Sequence, residues 1–284
     1  MDPAKQRLDE TRINLARAPC RASSRRSPSG WLSVVGLDWL AEGVSVSVGS
    51  AADNNVRVDH CSPHLGVFHL NSGKVTITPP AGGFPGTMQI DGERASAQTL
   101  RAYYASDNPS TIRDNPITIY ILSDSGKLGL SIWDTKSSTR LQFHGLQYFP
   151  LNPKYVIHAR WLPYNPPRVE THTSVLGLRS KFTVPGAAEF VLEGKRFRVE
   201  PLEMSDTILQ FPVADGTSGS TTYGGGRFLD TDYPSKGLQH PGEIVLDMNK
   251  LSNPPCAFAH YVNCTLAPDQ NRISIKLNVG EKKY

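Results

Sequence analysis

The sequence predicts a mainly β protein: an antiparallel β-sandwich followed by a second β-sandwich or barrel-like unit, with one N-terminal helix. Three observations carry this expectation. Short runs alternate apolar and polar residues with the period of two that a half-buried strand requires. Turn dipeptides separate the runs, and 22 prolines and 24 glycines punctuate the 284 residues. A chain of this length has room for one large β core or two small ones.

The elements follow in order. Residues 3–18 contain no internal Gly and no Pro beyond the first position, and they place Ala4, Leu8, Thr11 and Leu15 at helical spacing, so an amphipathic helix is expected, closed by Pro19. From Trp31 the period changes to two. Val44 to Val48 and Lys74 to Thr78 alternate strictly and predict two strands. Further strands are expected at Ile117–Leu122, Lys127–Trp133, Tyr155–Trp161, Glu189–Leu192, Thr207–Phe211, Glu243–Asp247, Ala257–Val262 and Arg272–Val279. Turn signals lie between them at Asn71-Ser72-Gly73, Asp124-Ser125-Gly126, Glu193-Gly194-Lys195 and the Pro-rich bend Asn165-Pro166-Pro167. A change of composition between Ser137 and Pro153, where aromatic residues crowd around Gly145 and Pro150, marks a boundary. The expected organisation is a helix and basic connector over 1–30, a small sandwich over 31–136, and a β-rich unit carrying the candidate pocket over 137–284.

Charge narrows the function classes. The formal charge of +4 resides in residues 1–30, where seven Lys or Arg face three acids; the remaining 23 bases and 23 acids cancel. A neutral body does not present the clustered cations that a phosphate backbone demands, so no nucleic-acid partner is expected. No run approaches the roughly 18 apolar residues of a membrane helix, so no membrane partner is expected either. Four cysteines and no apolar leader point to a cytoplasmic protein without a disulfide framework.

Several segments in order and spacing form a pattern: Gly30-Trp31-Leu32 through Gly36-Leu37-Asp38-Trp39, His144-Gly145-Leu146-Gln147-Tyr148-Phe149-Pro150, Thr222-Tyr223 with Gly226-Arg227-Phe228-Leu229, Leu246-Asp247-Met248-Asn249, Asn253-Pro254-Pro255-Cys256-Ala257, and the closing Cys264, Pro268, Asn271 and Gly280-Glu281-Lys282. With these the chain resembles the domain-of-unknown-function family 1684 from about Arg12 to Tyr284. The resemblance implies an architecture and a set of positions, with no activity attached. The chain departs from the family pattern at Pro212-Val213-Ala214-Asp215-Gly216 and at Lys250-Leu251-Ser252, and residues 19–29 look inserted. A second resemblance concerns the first unit: Gly49, Asp53 to Val56, Ser62-Pro63-His64 and Asp91-Gly92 look like a forkhead-associated sandwich. Ser50 stands where that fold would need its phosphate-binding Arg.

The chemistry-bearing residues lie between Tyr223 and Glu281. Arg227 follows three glycines and sits next to Tyr223, so its guanidinium could clamp a carboxylate or phosphate through paired hydrogen bonds; equally it could pair with Asp247 or Glu243 across strands. Asp247 and Asn249 alternate on one expected strand, which makes Asp247 a candidate general base or acid with Asn249 and Asn253 orienting a substrate. The other reading has Asn253 capping the Pro-Pro bend. Glu281, which matches the family's closing Gly-Glu, is the second candidate carboxylate. Cys256, His260 and Cys264 share a four-residue spacing, but an extended strand would separate the outer two by ~26 Å at ~3.3 Å per residue, so no metal is expected. Cys256 is read as lining the pocket. The search for a serine elbow, a phosphate loop and a dinucleotide fingerprint finds none of them.

These residues lead to the expectation of a cofactor-independent acid–base enzyme, a hydrolase or lyase/isomerase, acting on a small anionic molecule. Asp247 and Glu281 would be catalytic, and Tyr223, Arg227, Asn249, Asn253 and Cys256 would bind substrate. The alternative is a non-catalytic small-molecule-binding or scaffolding protein with a forkhead-associated-like domain. What separates the two is whether the polar residues surround an open cavity or satisfy one another in a closed core.

Overall fold

The period-two alternation becomes strand wherever a partner strand is at hand. The computed structural model describes residues 27–203, 205 and 207–284. The expected N-terminal helix and most of the basic connector lie outside the described residues. The chain divides into two compact units, with the break between Phe143 and His144.

The first unit contains β1 (Val34–Trp39), β2 (Ser45–Gly49), β3 (Val56–Arg57), β4 (Gly66–Asn71), β5 (Lys74–Thr78), β6 (Gln89–Ile90), β7 (Glu93–Arg94), β8 (Gln98–Leu100), β9 (Ala102–Tyr103), β10 (Thr111–Asp114), β11 (Ile117–Asp124), β12 (Lys127–Asp134) and a one-turn helix α1 (Ser138–Leu141). One sheet runs β1-β12-β11-β10-β6-β7 with β9 alongside β11; the other runs β3-β2-β4-β5-β8. Their inward residues share one core: Val46, Phe68 and Ile77 from the second sheet lie in the same apolar cluster as Ile112, Ile119, Ile121 and Ile132 from the first. This is the sandwich the alternation predicted. The tight hairpins are equally local. Asn71 pairs with Lys74 and Asp124 with Lys127, and the two central residues of each loop, Ser72-Gly73 and Ser125-Gly126, have positive φ, the twist a two-residue hairpin needs.

The second unit contains β13 (Val156–Thr173), β14 (Arg179–Leu192), β15 (Lys195–Val199), β16 (Leu202–Glu203), β17 (Ile208–Asp215), β18 (Arg227–Asp232), β19 (Gly242–Asp247) and β20 (Arg272–Ile273). They form the sheet β15-β14-β13-β19 and the sheet β16-β17-β18, with β20 parallel to β17. Trp161, Phe190, Phe211, Leu229 and Leu246 belong to one core. Three expectations are revised. Asn165-Pro166-Pro167 does not end a strand; β13 runs through it, with a register shift against β14 between Pro163 and Arg168 that accommodates two residues without ladder N–H groups. Ala257–Val262 is not a strand, because the chain turns there twice. Arg272–Val279 joins a ladder only at its first two residues, although Ile273, Ile275, Leu277 and Val279 are buried and the residues between them exposed. The helices of the described residues are short, and none is long and apolar enough to cross a membrane.

Candidate functional site

The C-terminal segment 274–281 alternates like a strand but meets neighbouring backbone only at points, with Gly216 N donating to Ile275 O, Phe149 N to Gly280 O and Glu281 bridging Tyr148, so its remaining inward carbonyls need donors from elsewhere. Arg227 supplies them. It opens β18 opposite Val213 of β17, and its guanidinium points into the core, where the side chain is 1% exposed. Nη2 donates to Leu277 O at 3.0 Å, and Nη1 donates to Val279 O and, at 3.1 Å, to Glu281 O. A single cation thereby stands in for the missing neighbouring strand.

Its counter-ion is Asp215, at the end of β17, 2.9 Å from Nη2 and wholly buried. The other carboxylate oxygen accepts from Thr217 N at 2.8 Å, Thr217 Oγ1 at 2.6 Å and Leu277 N at 3.1 Å. Burial pulls the Arg227 pKa below the ordinary arginine value, and Asp215 and Glu281 oppose that pull. Neither partner expected for Arg227 takes the role. Glu243 meets His158 at 2.9 Å, and Asp247 belongs to a different turn. Of the glycines before Arg227, Gly225 and Gly226 serve close packing rather than an open approach. Gly226 has φ +93°, and a Cβ there would lie 2.7 Å from Val213 O.

Asp247 and Asn249 do not alternate on one strand. Asp247 ends β19 and caps the 3₁₀ turn Met248–Lys250, its Oδ1 accepting from Asn249 N at 3.1 Å and Asn249 Nδ2 at 2.9 Å. Asn249 is fully buried and grips the backbone of Asn152 from both ends, accepting from its N at 2.9 Å and donating to its O at 3.1 Å. Glu281 and Asn253 form a second knot. Glu281 Oε2 accepts from Asn253 N at 2.7 Å and Oε1 from the Tyr148 hydroxyl at 3.3 Å, while Asn253 Nδ2 donates to Lys282 O at 2.7 Å. The structure thus joins Arg227, Glu281 and Asn253 through the C-terminal segment, and Asp247 with Asn249 through the cap. Arg227 Nε and Asn253 Oδ1 are buried without a hydrogen-bond partner.

Tyr223 and Cys256 meet a third residue, Cys264. Tyr223 OH donates to Cys256 O at 3.4 Å, and Cys256 N donates to Cys264 Sγ at 3.2 Å. The extended span between the cysteines does not occur, because Pro255–Ala257 forms a 3₁₀ turn and Val262 N returns to Ala259 O. His260, midway between them, is exposed. Among the described residues no group of three or more His, Cys, Asp or Glu is arranged to hold a metal ion.

Sequence reasoning missed a polar cluster on the β13–β14–β15 sheet. Glu200, nearly buried, accepts from Tyr164 OH and from Arg168 Nη2, and its Oε2 accepts from Gln270 Nε2 at 3.0 Å. Arg198 Nη2 donates to the same Tyr164 hydroxyl at 2.7 Å, and the Arg168 guanidinium lies 4.1 Å over the Tyr164 ring. Burial and the Glu200 carboxylate raise the Tyr164 pKa. Beside them His172 is 7% exposed, with Nε2 unpartnered and 3.9 Å from Glu170 Oε2. The one local signal was the alternation Arg168, Glu170, His172, three polar residues on one face of a strand. Asp215 had a signal too: an acid closing the apolar run Phe211 to Ala214.

The family model described as "Protein of unknown function (DUF1684)" matches residues 141–282, half of the chain. The solution NMR structure of an uncharacterized protein from gene locus rrnAC0354 of Haloarcula marismortui is 26% identical; the similarity covers 50% of this chain and 78% of that chain, with a TM-score of 0.43. Among the curated proteins none matches.

Proposed function

We propose for this chain, which belongs to the family described as Protein of unknown function (DUF1684), a non-catalytic binding or scaffolding role, with the residues from Tyr223 to Glu281 as its structural frame. The observation that carries the reading is the enclosure of Arg227. Its two terminal nitrogens are taken by Asp215 and three main-chain carbonyls at 1% exposure, which is the arrangement of a closed core and not of a substrate clamp. Asp247 and Glu281 are spent in the same way, one on a cap and one on a main-chain N–H. A general base needs a lone pair aimed at a reacting proton.

The test is a thermal-shift screen of the purified protein against a metabolite library, with mass spectrometry of every stabilising compound after incubation. The expected result is stabilisation without chemical conversion, retained in Asp247→Asn and Glu281→Gln once their own melting temperatures are subtracted. Turnover that either substitution abolishes would overturn the reading.

A second reading, an acid–base enzyme for a small anion, is favoured by the unpartnered His172 Nε2 beside the half-exposed Arg168. It places the chemistry on β13 and β15, with Arg168 and Arg198 holding the anion and His172 moving the proton. If the screen reveals turnover that survives Asp247→Asn but fails in His172→Asn and Arg198→Ala, this reading replaces the first.

A further inference from the structure

The turn between Pro255 and Cys264 does something the structural frame does not need: it brings the Cys264 sulfur onto the main chain of Cys256. Cys256 and Cys264 are both buried and neither is in a disulfide. Their contact is anchored at both ends. Ala257 N and Phe258 N close turns onto Pro254 O and Pro255 O, while Cys264 O accepts from Val175 N and Leu266 N donates to Thr173 O. Between these anchors Cys256 N donates to Cys264 Sγ at 3.2 Å. From the other side the Tyr223 hydroxyl donates to the Cys256 carbonyl at 3.4 Å. A disulfide needs the two sulfurs at about 2.05 Å, and the Cys256 N–H, which holds the Cys264 sulfur at 3.2 Å, already brings that sulfur against Cys256.

The two thiols are not equivalent. The hydrogen bond from Cys264 lowers the Cys256 pKa below that of an ordinary thiol despite burial, with Tyr223 assisting. Cys264 moves the other way, raised by its partner and by burial. The pair is therefore ordered, Cys256 being the more readily ionised thiol and Cys264 the less, the division of labour that two-step disulfide formation uses. Cys256 and Cys264 are both buried residues, which favours a small oxidant over bulky reagents.

We propose that Cys256 and Cys264 form a peroxide-reactive dithiol site, oxidised reversibly to an intramolecular disulfide. The Cys256 thiolate attacks one oxygen of hydrogen peroxide. The O–O bond breaks, hydroxide leaves and takes up a proton as water, and Cys256 becomes a sulfenic acid. The Cys264 sulfur then attacks the Cys256 sulfur. The S–O bond breaks and the departing hydroxide leaves with the Cys264 proton as a second water. Two thiols have lost two electrons and peroxide has become two waters. A dithiol reductant reverses the change. Tyr223 acts as a positioning residue, holding Cys256 by a hydrogen bond from its hydroxyl to the Cys256 carbonyl. Cys61 is the internal contrast, since burial and the carboxylates of Asp114 and Asp59 push its thiol up to about 12.

The experiment is a hydrogen peroxide titration of the reduced full-length protein, with unreacted thiols alkylated under denaturing conditions and the products mapped by peptide mass. The expected product is a chain two hydrogens lighter, with Cys256 and Cys264 linked, Cys61 still alkylated, and full recovery on adding dithiothreitol. In Cys264→Ser the reaction should stop at a dimedone-trappable sulfenic acid on Cys256. In Tyr223→Phe the rate should fall severalfold at neutral pH while the final yield stays the same. The wild-type peptide map decides the matter even if a variant fails to fold. Oxidation of Cys61 before the pair, or loss of thiols only at peroxide doses that oxidise free cysteine equally fast, overturns the proposal.

Discussion

Replacing Arg227 by Ala removes a buried cation whose partners have nowhere else to turn. Asp215 would keep three donors, from Thr217 N, Thr217 Oγ1 and Leu277 N, but would lose its only cation at zero exposure. Breaking a buried pair from one side costs roughly 3–5 kcal/mol, because the remaining charge stays desolvated. The carbonyls of Leu277, Val279 and Glu281 would also lose donors, and with them the C-terminal segment would lose its lateral anchor. For a domain of this size that destabilisation corresponds to a fall in melting temperature of roughly 10–20 °C. Differential scanning calorimetry of wild type and Arg227→Ala measures it. The paired substitution Arg227→Met with Asp215→Leu should be milder than the single one, because it leaves no orphaned charge. A loss below about 1 kcal/mol for Arg227→Ala would refute the reasoning, since it would mean that water reaches Asp215 and replaces the guanidinium.

Other outcomes follow from the same geometry. Asn249→Ala should cost about 1–3 kcal/mol in urea unfolding, because Asn152 N and O lose the side chain that satisfies both. Gly226→Ala should destabilise by more than about 1 kcal/mol, since φ +93° is strained for Ala and the new Cβ meets Val213 O at 2.7 Å; an unchanged urea midpoint would contradict this. In the first unit, burial would raise the Asp91 pKa, but Thr111 N–H, Arg101 and Ser110 hydrogen-bond its carboxylate and bring it below the ordinary aspartate value. A depressed carboxylate contributes stability above its unfolded pKa and loses it as pH falls through the folded one. The stability difference between wild type and Asp91→Asn should therefore be full at neutral pH and close below about pH 3.9. A difference that widens in acid would reverse the sign and refute it.

What the sequence determined by itself is what depends on neighbours along the chain. The alternation at Val44–Val48 and Lys74–Thr78, the positive-φ turn residues Ser72-Gly73 and Ser125-Gly126, and the alternating burial of Ile273, Ile275, Leu277 and Val279 are local patterns, and the structure carries all of them. The mainly β class and the family pattern of the second unit were legible for the same reason. Only the tertiary structure decided partners. That Arg227 meets Asp215 and not Asp247 depends on β17 and β18 lying side by side, and that Cys256 touches Cys264 depends on two turns in a segment whose composition reads as strand. It also decided that the carbonyls of Leu277, Val279 and Glu281 meet a guanidinium, and that Glu200 collects Tyr164, Arg168 and Gln270 from distant parts of the chain. Periodicity reports which face of an element is buried. Which charge, thiol or carbonyl waits on that face is set by packing between elements, where one buried group is satisfied by whichever complementary group the fold delivers within about 3 Å.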